Sequence, residues 1–189
     1  MEKRIIHLTT REQLSVYMSP VRQELLRRLR LAEGPQTAKA LSDKLKISPS
    51  SVQHHLKKLL ELGAVEVDHR AVINGITATY YRETRAEVRV GLDRDDGLRD
   101  EREALATDIV NRTLQSFFRD ARKVGAGMTE EEAAEYGDFF SGVAHLAPEE
   151  QRELRRLIRA FLDEHDSPAP DRPQKWEYVV LAHRMEETP

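Results

Sequence analysis

The chain has 189 residues, 33% of them charged, with a mean hydropathy of −0.62 and no cysteine. No apolar run approaches the roughly 18 residues of a membrane span, and Met1–Thr10 lacks the apolar stretch and cleavage site of a secretory signal. Without cysteine there are no disulfides, thiolate nucleophiles or Cys-ligated metals, which suits a reducing cytoplasm, the expected location. The net charge of −3 is divided unevenly: residues 1–90 hold 16 Lys and Arg against 10 Asp and Glu, and residues 91–189 hold 14 against 23. A basic half beside an acidic half points to a polyanion facing the first.

In chain order, Thr9 or Thr10 signals a first helix over 11–18, with Thr9 and Glu12 at capping-box spacing. Ser19-Pro20 opens a second, with Val21, Leu25, Leu26 and Leu29 on one stripe, and Gly34-Pro35 ends it. Thr37 or Gln36 opens a short helix over 38–45. After Lys46-Ile47, Ser48-Pro49 starts another that carries Val52, Leu56, Leu59 and Leu60 and stops at Gly63. Two short helices joined by so brief a link make a helix-turn-helix. The period then changes from 3.6 to 2. Val65 and Val67 alternate with Glu66 and Asp68, Asn74-Gly75 supplies a turn with positive φ, and 76–82 is rich in β-branched and aromatic residues. A weak further strand is expected near 86–90.

Residues 91–99 read as a polar connection. Asp100 and Glu103 repeat the capping-box spacing before a long amphipathic helix over 101–124, stopped by Gly125-Ala126-Gly127. Helices are expected over 129–142 and 148–165, a proline-rich linker over 167–173, and a strand over 175–185, where Trp176, Tyr178, Val179, Val180 and Leu181 favour extended backbone. The expected fold is mainly α with a small β wing: a winged helix-turn-helix DNA-binding domain over 1–90, then a helical dimerisation region over 91–189 ending in a strand.

A major groove about 12 Å wide admits one helix, whose outer face near the N-terminus reads bases. In the 48–62 helix, Val52, Leu56 and Leu59 face inward and Ser50, Ser51, Gln53, His54 and Lys57 face outward. The hydroxyls of Ser48, Ser50 and Ser51 suit phosphate oxygens. Gln53 offers paired amide contacts to adenine, His54 a donor to a purine acceptor, and Lys57 and Lys58 backbone contacts that add affinity without sequence choice. His55 falls between the core and the outer face. Arg70, Asn74 and Thr77, with His69, lie on or near the hairpin and suit a wing following the backbone or minor groove.

Met18-Ser-Pro-Val-Arg-Gln-Glu-Leu-Leu, Thr37-Ala-Lys-Ala-Leu-Ser-Asp-Lys-Leu, Ile47-Ser-Pro-Ser-Ser-Val-Gln-His-His-Leu-Lys-Lys-Leu and Leu62-Gly-Ala-Val-Glu-Val, with the hairpin 72–82, together resemble ArsR-like winged-helix regulators over about residues 10–85. The resemblance implies a homodimeric repressor whose two recognition helices enter successive major grooves of a palindromic operator in double-stranded DNA. Lys46 stands where the group commonly has glycine, so a left-handed backbone is expected there. Metal-sensing branches of the group use cysteine pairs or His/Asp clusters; here His145, His165 and His183 are far apart, so no metal and no cofactor are expected.

The apolar stripe of 101–124 is expected to pack on 129–165 or to pair with its copy across a two-fold axis. A small-molecule effector is conceivable near Phe117, Phe118, Phe139, Phe140 and Trp176, although aromatics at helical spacing are more often core. An enzyme is not expected: there is no glycine-rich phosphate loop, no Gly-x-Ser-x-Gly and no His-Glu-x-x-His. The alternative is a winged helix that binds protein without reading DNA.

Overall fold

The computed structural model describes residues 4–124, 127–166, 169 and 171–185. The chain divides into two units, Met1–Ala106 and Thr107–Pro189.

The first unit opens with β1 (Ile5–His7) and α1 (Arg11–Met18). The capping box of α1 lies one residue beyond the expected Thr9–Glu12 pair. Thr10 is the N-cap; its hydroxyl accepts from the Gln13 amide at 3.2 Å, and Gln13 Oε1 accepts from the Thr10 N–H at 3.1 Å. Gln13 also accepts from the Thr9 N–H at 2.8 Å, so one side chain satisfies two backbone donors. In α2 (Pro20–Leu31) the proline occupies the first turn, while Ser19, which also ends α1, makes no capping bond with its side chain.

β2 (Gln36–Thr37) leads directly into α3 (Ala38–Leu45), capped by Thr37 through the Ala40 amide. Lys46 takes the left-handed conformation (φ 56°) and turns the chain toward α4 (Pro49–Leu62). Ser48 caps α4 through the Ser51 N–H at 3.2 Å, and Gly63 (φ 81°) ends it with a positive-φ turn that favours glycine. Leu25 of α2, Leu41 of α3 and Val52, Leu56 and Leu59 of α4 are fully buried. Each contributes on the order of 1.5–3 kcal/mol relative to leaving it in water. Together they fix α4 against the other two helices.

The wing is a hairpin of β3 (Val65–Ile73) and β4 (Ile76–Glu83) across Asn74 (φ 50°) and Gly75 (φ 80°), the two successive positive φ values that a tight hairpin turn requires. A bulge between Val67 and His69 bends its base, and β2 adds the third strand in the order β2-β4-β3. β5 (Glu87–Arg89) pairs in parallel with β1, an N-terminal strand too short to show a period-2 signal.

The expected cap at Asp100 gives way to a larger arrangement. α5 begins at Arg99, with Asp100 inside its first turn, and Asp96 does the anchoring. Its carboxylate accepts from the Leu98 N–H at 3.3 Å, from Arg94 at 3.1 Å and from both Nη groups of Arg102. Arg102 is only 1% exposed, and its Nε donates to the Val90 carbonyl at 2.8 Å. A buried guanidinium needs such a full set of acceptors, or its desolvation would go uncompensated.

α5 (Arg99–Val124) begins in the first unit and ends in the second, which also holds α6 (Glu130–Ala134) and α7 (Pro148–Glu164). The helix expected over 129–142 is thus a single short turn. Gly137 sits at φ 156°, outside helical backbone, with the Phe117 ring 3.1 Å from where its Cβ would be. The strand expected over 175–185 is not formed among the described residues: the two sheets comprise β1–β5 alone, and extended backbone without a ladder partner is not a strand. Positions 186–189, Gly125 and Ala126, and much of the 167–173 linker lie outside the described residues; within that linker Ala169 bridges Arg172. Among the described residues no helix is long and apolar enough to cross a membrane.

Arg102, with Arg94 beside it, holds the Asp96 carboxyl far below the usual carboxylate range. The charged pair therefore stabilises the fold above about pH 4, where Asp96 of the unfolded chain is ionised, and that stabilisation is lost as pH falls further. Asp96→Asn is expected to lower Tm at pH 7, with the gap from wild type closing below pH 4, as followed by thermal unfolding across pH.

Candidate nucleic-acid interface

Pinned by Val52, Leu56 and Leu59, α4 turns the opposite arc to solvent. Ser50, Gln53, His54 and Lys57 are all exposed there, and Ser51 is half-buried at its edge. Ser48 and Ser50 hydroxyls lie 3.0 Å apart at the N-terminal turn, the end of the helix dipole that attracts anions. Among the described residues Gln53 and Lys57 have no partner within the chain, and His54 touches only the His55 ring, 5.5 Å away between centroids. Lys58 is differently placed: it lies 3.5 Å from Glu61 and 3.8 Å from Glu12 of α1, so part of its charge is already matched.

The register of the wing sorts its residues by face. Arg70 stands opposite Thr79 and Val72 opposite Thr77, which puts Arg70 and Thr77 on one face. Asn74 is at the exposed turn. His69 points to the other face, where it stacks on Tyr80 at 4.2 Å and meets Asp68 at 2.7 Å, so it braces the hairpin base rather than its tip. The tip itself is more apolar than expected, with Val72 and Ile76 each more than 70% exposed and Ile73 beside them.

Two contributors were not legible as such. Lys46, read only as a turn residue, is exposed at the entrance to α4 and has no partner among the described residues. Arg22 of α2 ties three elements together: Nε donates to the Val16 carbonyl and Nη2 to the Ser15 carbonyl at the end of α1, and Nη1 donates to His55 Nδ1 of α4 at 3.4 Å. Beside it, Gln23 donates to the Tyr17 carbonyl at 2.6 Å. The contact between positions 22 and 55 crosses helices, so no periodicity announces it.

The proposed aromatic pocket is not assembled. Phe139 and Phe140 are 72% and 88% exposed, and the apolar hollow of the second unit lies elsewhere, about 300 Å³ lined by Leu157, Ile158, Phe161, Leu162, Tyr178 and Val180. Of the histidines far apart in sequence, His165 stacks on Phe161 and His183 faces the Arg184 carbonyl. Among the described residues no group of three His, Asp or Glu is placed to hold a metal.

Residues 17–68, from the end of α1 into β3, match the family model described as a helix-turn-helix domain. With the hairpin that follows, the chain carries a winged helix-turn-helix domain of the class found in DNA-binding transcription regulators. Among solved structures it is similar to a point mutant of Lactococcus lactis ZitR, at 20% identity over 78% of this chain and 75% of that one, with a TM-score of 0.33. It is similar also to the adhesin competence repressor AdcR of Streptococcus pyogenes, at 14% identity over 81% and 84% of the two chains, again at 0.33. Neither likeness is close enough to carry a residue's role across. No curated protein matches the chain.

Burial, with help from Arg22 and His54, holds the His55 imidazole below its ordinary value. Nδ1 accepts from a cation, so protonation would set two positive charges against each other. The unfolded chain takes up the proton first, and stability should fall as pH drops below about 6.5. His55→Gln is expected to flatten that decline between pH 7.5 and 5, measured by urea unfolding at fixed ionic strength.

Proposed function

We propose that the protein is a homodimeric repressor that reads a palindromic operator in double-stranded DNA, with residues 1–90 making the contact and residues 91–189 holding the two copies together. The observation that carries this is the outer arc of α4: exposed polar side chains, of which Gln53 and Lys57 have no partner among the described residues, on a helix whose opposite side is fully buried. Gln53 and His54 read base edges, Ser48, Ser50 and Ser51 seat a phosphate on the helix N-terminus, and Lys57 holds the backbone. Lys58 adds a weaker backbone contact because its charge is shared with Glu12 and Glu61. Lys46 contributes a further cation at the turn.

The wing supplies Arg70, Asn74 and Thr77 along the neighbouring backbone or minor groove. Arg70 meets no carboxylate among the described residues, so its charge is available to phosphate. The exposed isoleucines at the tip fit a minor groove, where apolar side chains lodge against base steps. A protein working on chromosomal DNA of a bacterial type is cytoplasmic. No catalytic role is assigned to any residue, and no cofactor or effector is needed for this reading.

Gln53→Ala with His54→Ala should leave fold and assembly intact while removing preference for a selected operator over random duplex. The loss is on the order of 1–3 kcal/mol per base pair read, checked by competition binding; undiminished preference would take α4 out of the reading role. Arg70→Ala should weaken binding to every sequence alike and reduce the slope of log K against log salt by about 1. A wing that misses the backbone would leave the slope unchanged, and a protein-binding module would not bind random duplex at all.

A further inference from the structure

Two adjacent histidines of α4 have different surroundings. His54 is exposed, and among the described residues its ring meets only that of His55, at 5.5 Å between centroids and 71° between planes. His55 is half-buried and faces the Arg22 guanidinium of α2, with Nη1 3.4 Å from Nδ1. An edge-to-face pair of rings is an ordered contact, so whatever fixes the plane of His55 limits the orientations open to His54.

We infer that Arg22 and His55 are positioning residues for His54: the guanidinium holds the His55 ring, and that ring presents the His54 imidazole to a base edge in one orientation. The inference rests on the reading of bases by α4 proposed above and deepens it. Specificity at one base pair then depends on a side chain of α2 whose contacts lie inside the protein.

The first argument is the rigidity of the anchor. α1 ends at Met18, so the carbonyls of its last turn lack partners within the helix. Arg22 serves two of them, donating from Nε to Val16 and from Nη2 to Ser15 at 3.0 Å, and Gln23 serves the next, Tyr17, at 2.6 Å. These carbonyls also form the negative pole of α1, which favours a cation there. A planar guanidinium tied through two of its nitrogens is fixed in its plane. Its third nitrogen is thereby aimed at α4.

The second argument is the proton inventory. Arginine only donates, so Nδ1 of His55 accepts and the ring proton sits on Nε2. This selects one tautomer and one orientation about χ2, a torsion that is otherwise broad. The backbone needs no such help, since Val52 and Leu56, on either side in sequence, are fully buried. Lys58, one turn further along, lies by Glu61 at 3.5 Å and Glu12 at 3.8 Å, so its charge is engaged away from the ring. A base reader gains from the restraint. An unrestrained imidazole loses rotamer freedom on binding, and its N–H meets a purine acceptor in only a fraction of its orientations.

The test uses the full-length protein, an operator selected from a random duplex pool, and competition by every single-base-pair variant of that operator. His54→Ala identifies the base pair at which preference is lost. Arg22→Met should lower preference at that base pair by about fivefold, near the lower bound for one base contact, and leave the other positions, random duplex and the salt slope unchanged. In the His54→Ala background the same substitution should change nothing further, because its route runs through that ring. His55→Phe keeps a ring and leaves Arg22 on α1 but removes the acceptor; it should reproduce the loss, and it carries the test if Arg22→Met does not fold. Loss spread evenly over all positions, or equal loss with and without His54, would show that Arg22 only braces the fold and overturns the inference. If wild type selects no operator, the regulator reading falls and this inference with it. If His54→Ala leaves every preference intact, His54 is no reader and the inference falls alone; loss with His54→Ala but not with His55→Phe defeats the relay and leaves the regulator reading standing.

Discussion

The structure of the first unit depends on one constraint, the complete burial of one side of α4. Val52, Leu56 and Leu59 have no exposure to water, and neither do Leu25 and Leu41, which meet them from α2 and α3. A helix gripped this firmly cannot rotate about its axis without exposing leucine. The polar arc therefore faces outward with a fixed phase, and the side chains on it hold their spacing.

The charged side chains separate into two populations with different work. Arg22 and Arg102 are consumed by the fold: one fastens the end of α1 and the flank of α4, the other closes the 90–102 segment around Asp96. Lys46, Lys57 and Arg70 are left without partners among the described residues, on the exposed side of the same unit. Sequence composition counts both populations alike, which is why a basic first half suggests a polyanion but cannot say which cations meet it. Only those that the fold has not already neutralised are available.

Most of the first unit was legible from local chemistry. Ser48-Pro49, Gly63 and Asn74-Gly75 are stop and start signals whose mechanism is confined to a few residues, and each stands where its chemistry puts it. The outward placement of Gln53, His54 and Lys57 followed from helical period alone. The misreadings have non-local causes. Asp100 looked like a cap because its spacing to Glu103 is right, but the helix already starts at Arg99, and Asp96, held by Arg102 and Arg94, binds the Leu98 N–H just ahead of it. β1 owes its existence to β5, and three residues carry no period. Residues 135–142 and 175–185 have the composition of regular elements, yet a strand needs a ladder partner and a helix must get past Gly137.

The pairing of β1 with β5 joins residues about eighty positions apart, since Ile5 stands opposite Glu87. Nearly the whole first unit lies within the loop that this short parallel ladder closes. Closing a long loop carries an entropic penalty that three residue pairs offset only after the helices and hairpin have shortened the distance. The ladder is thus the late-forming and early-fraying seam of the unit. Because β5 runs straight into the segment that Arg102 clamps, loosening that seam would free the root of α5 before any leucine of the central core is disturbed.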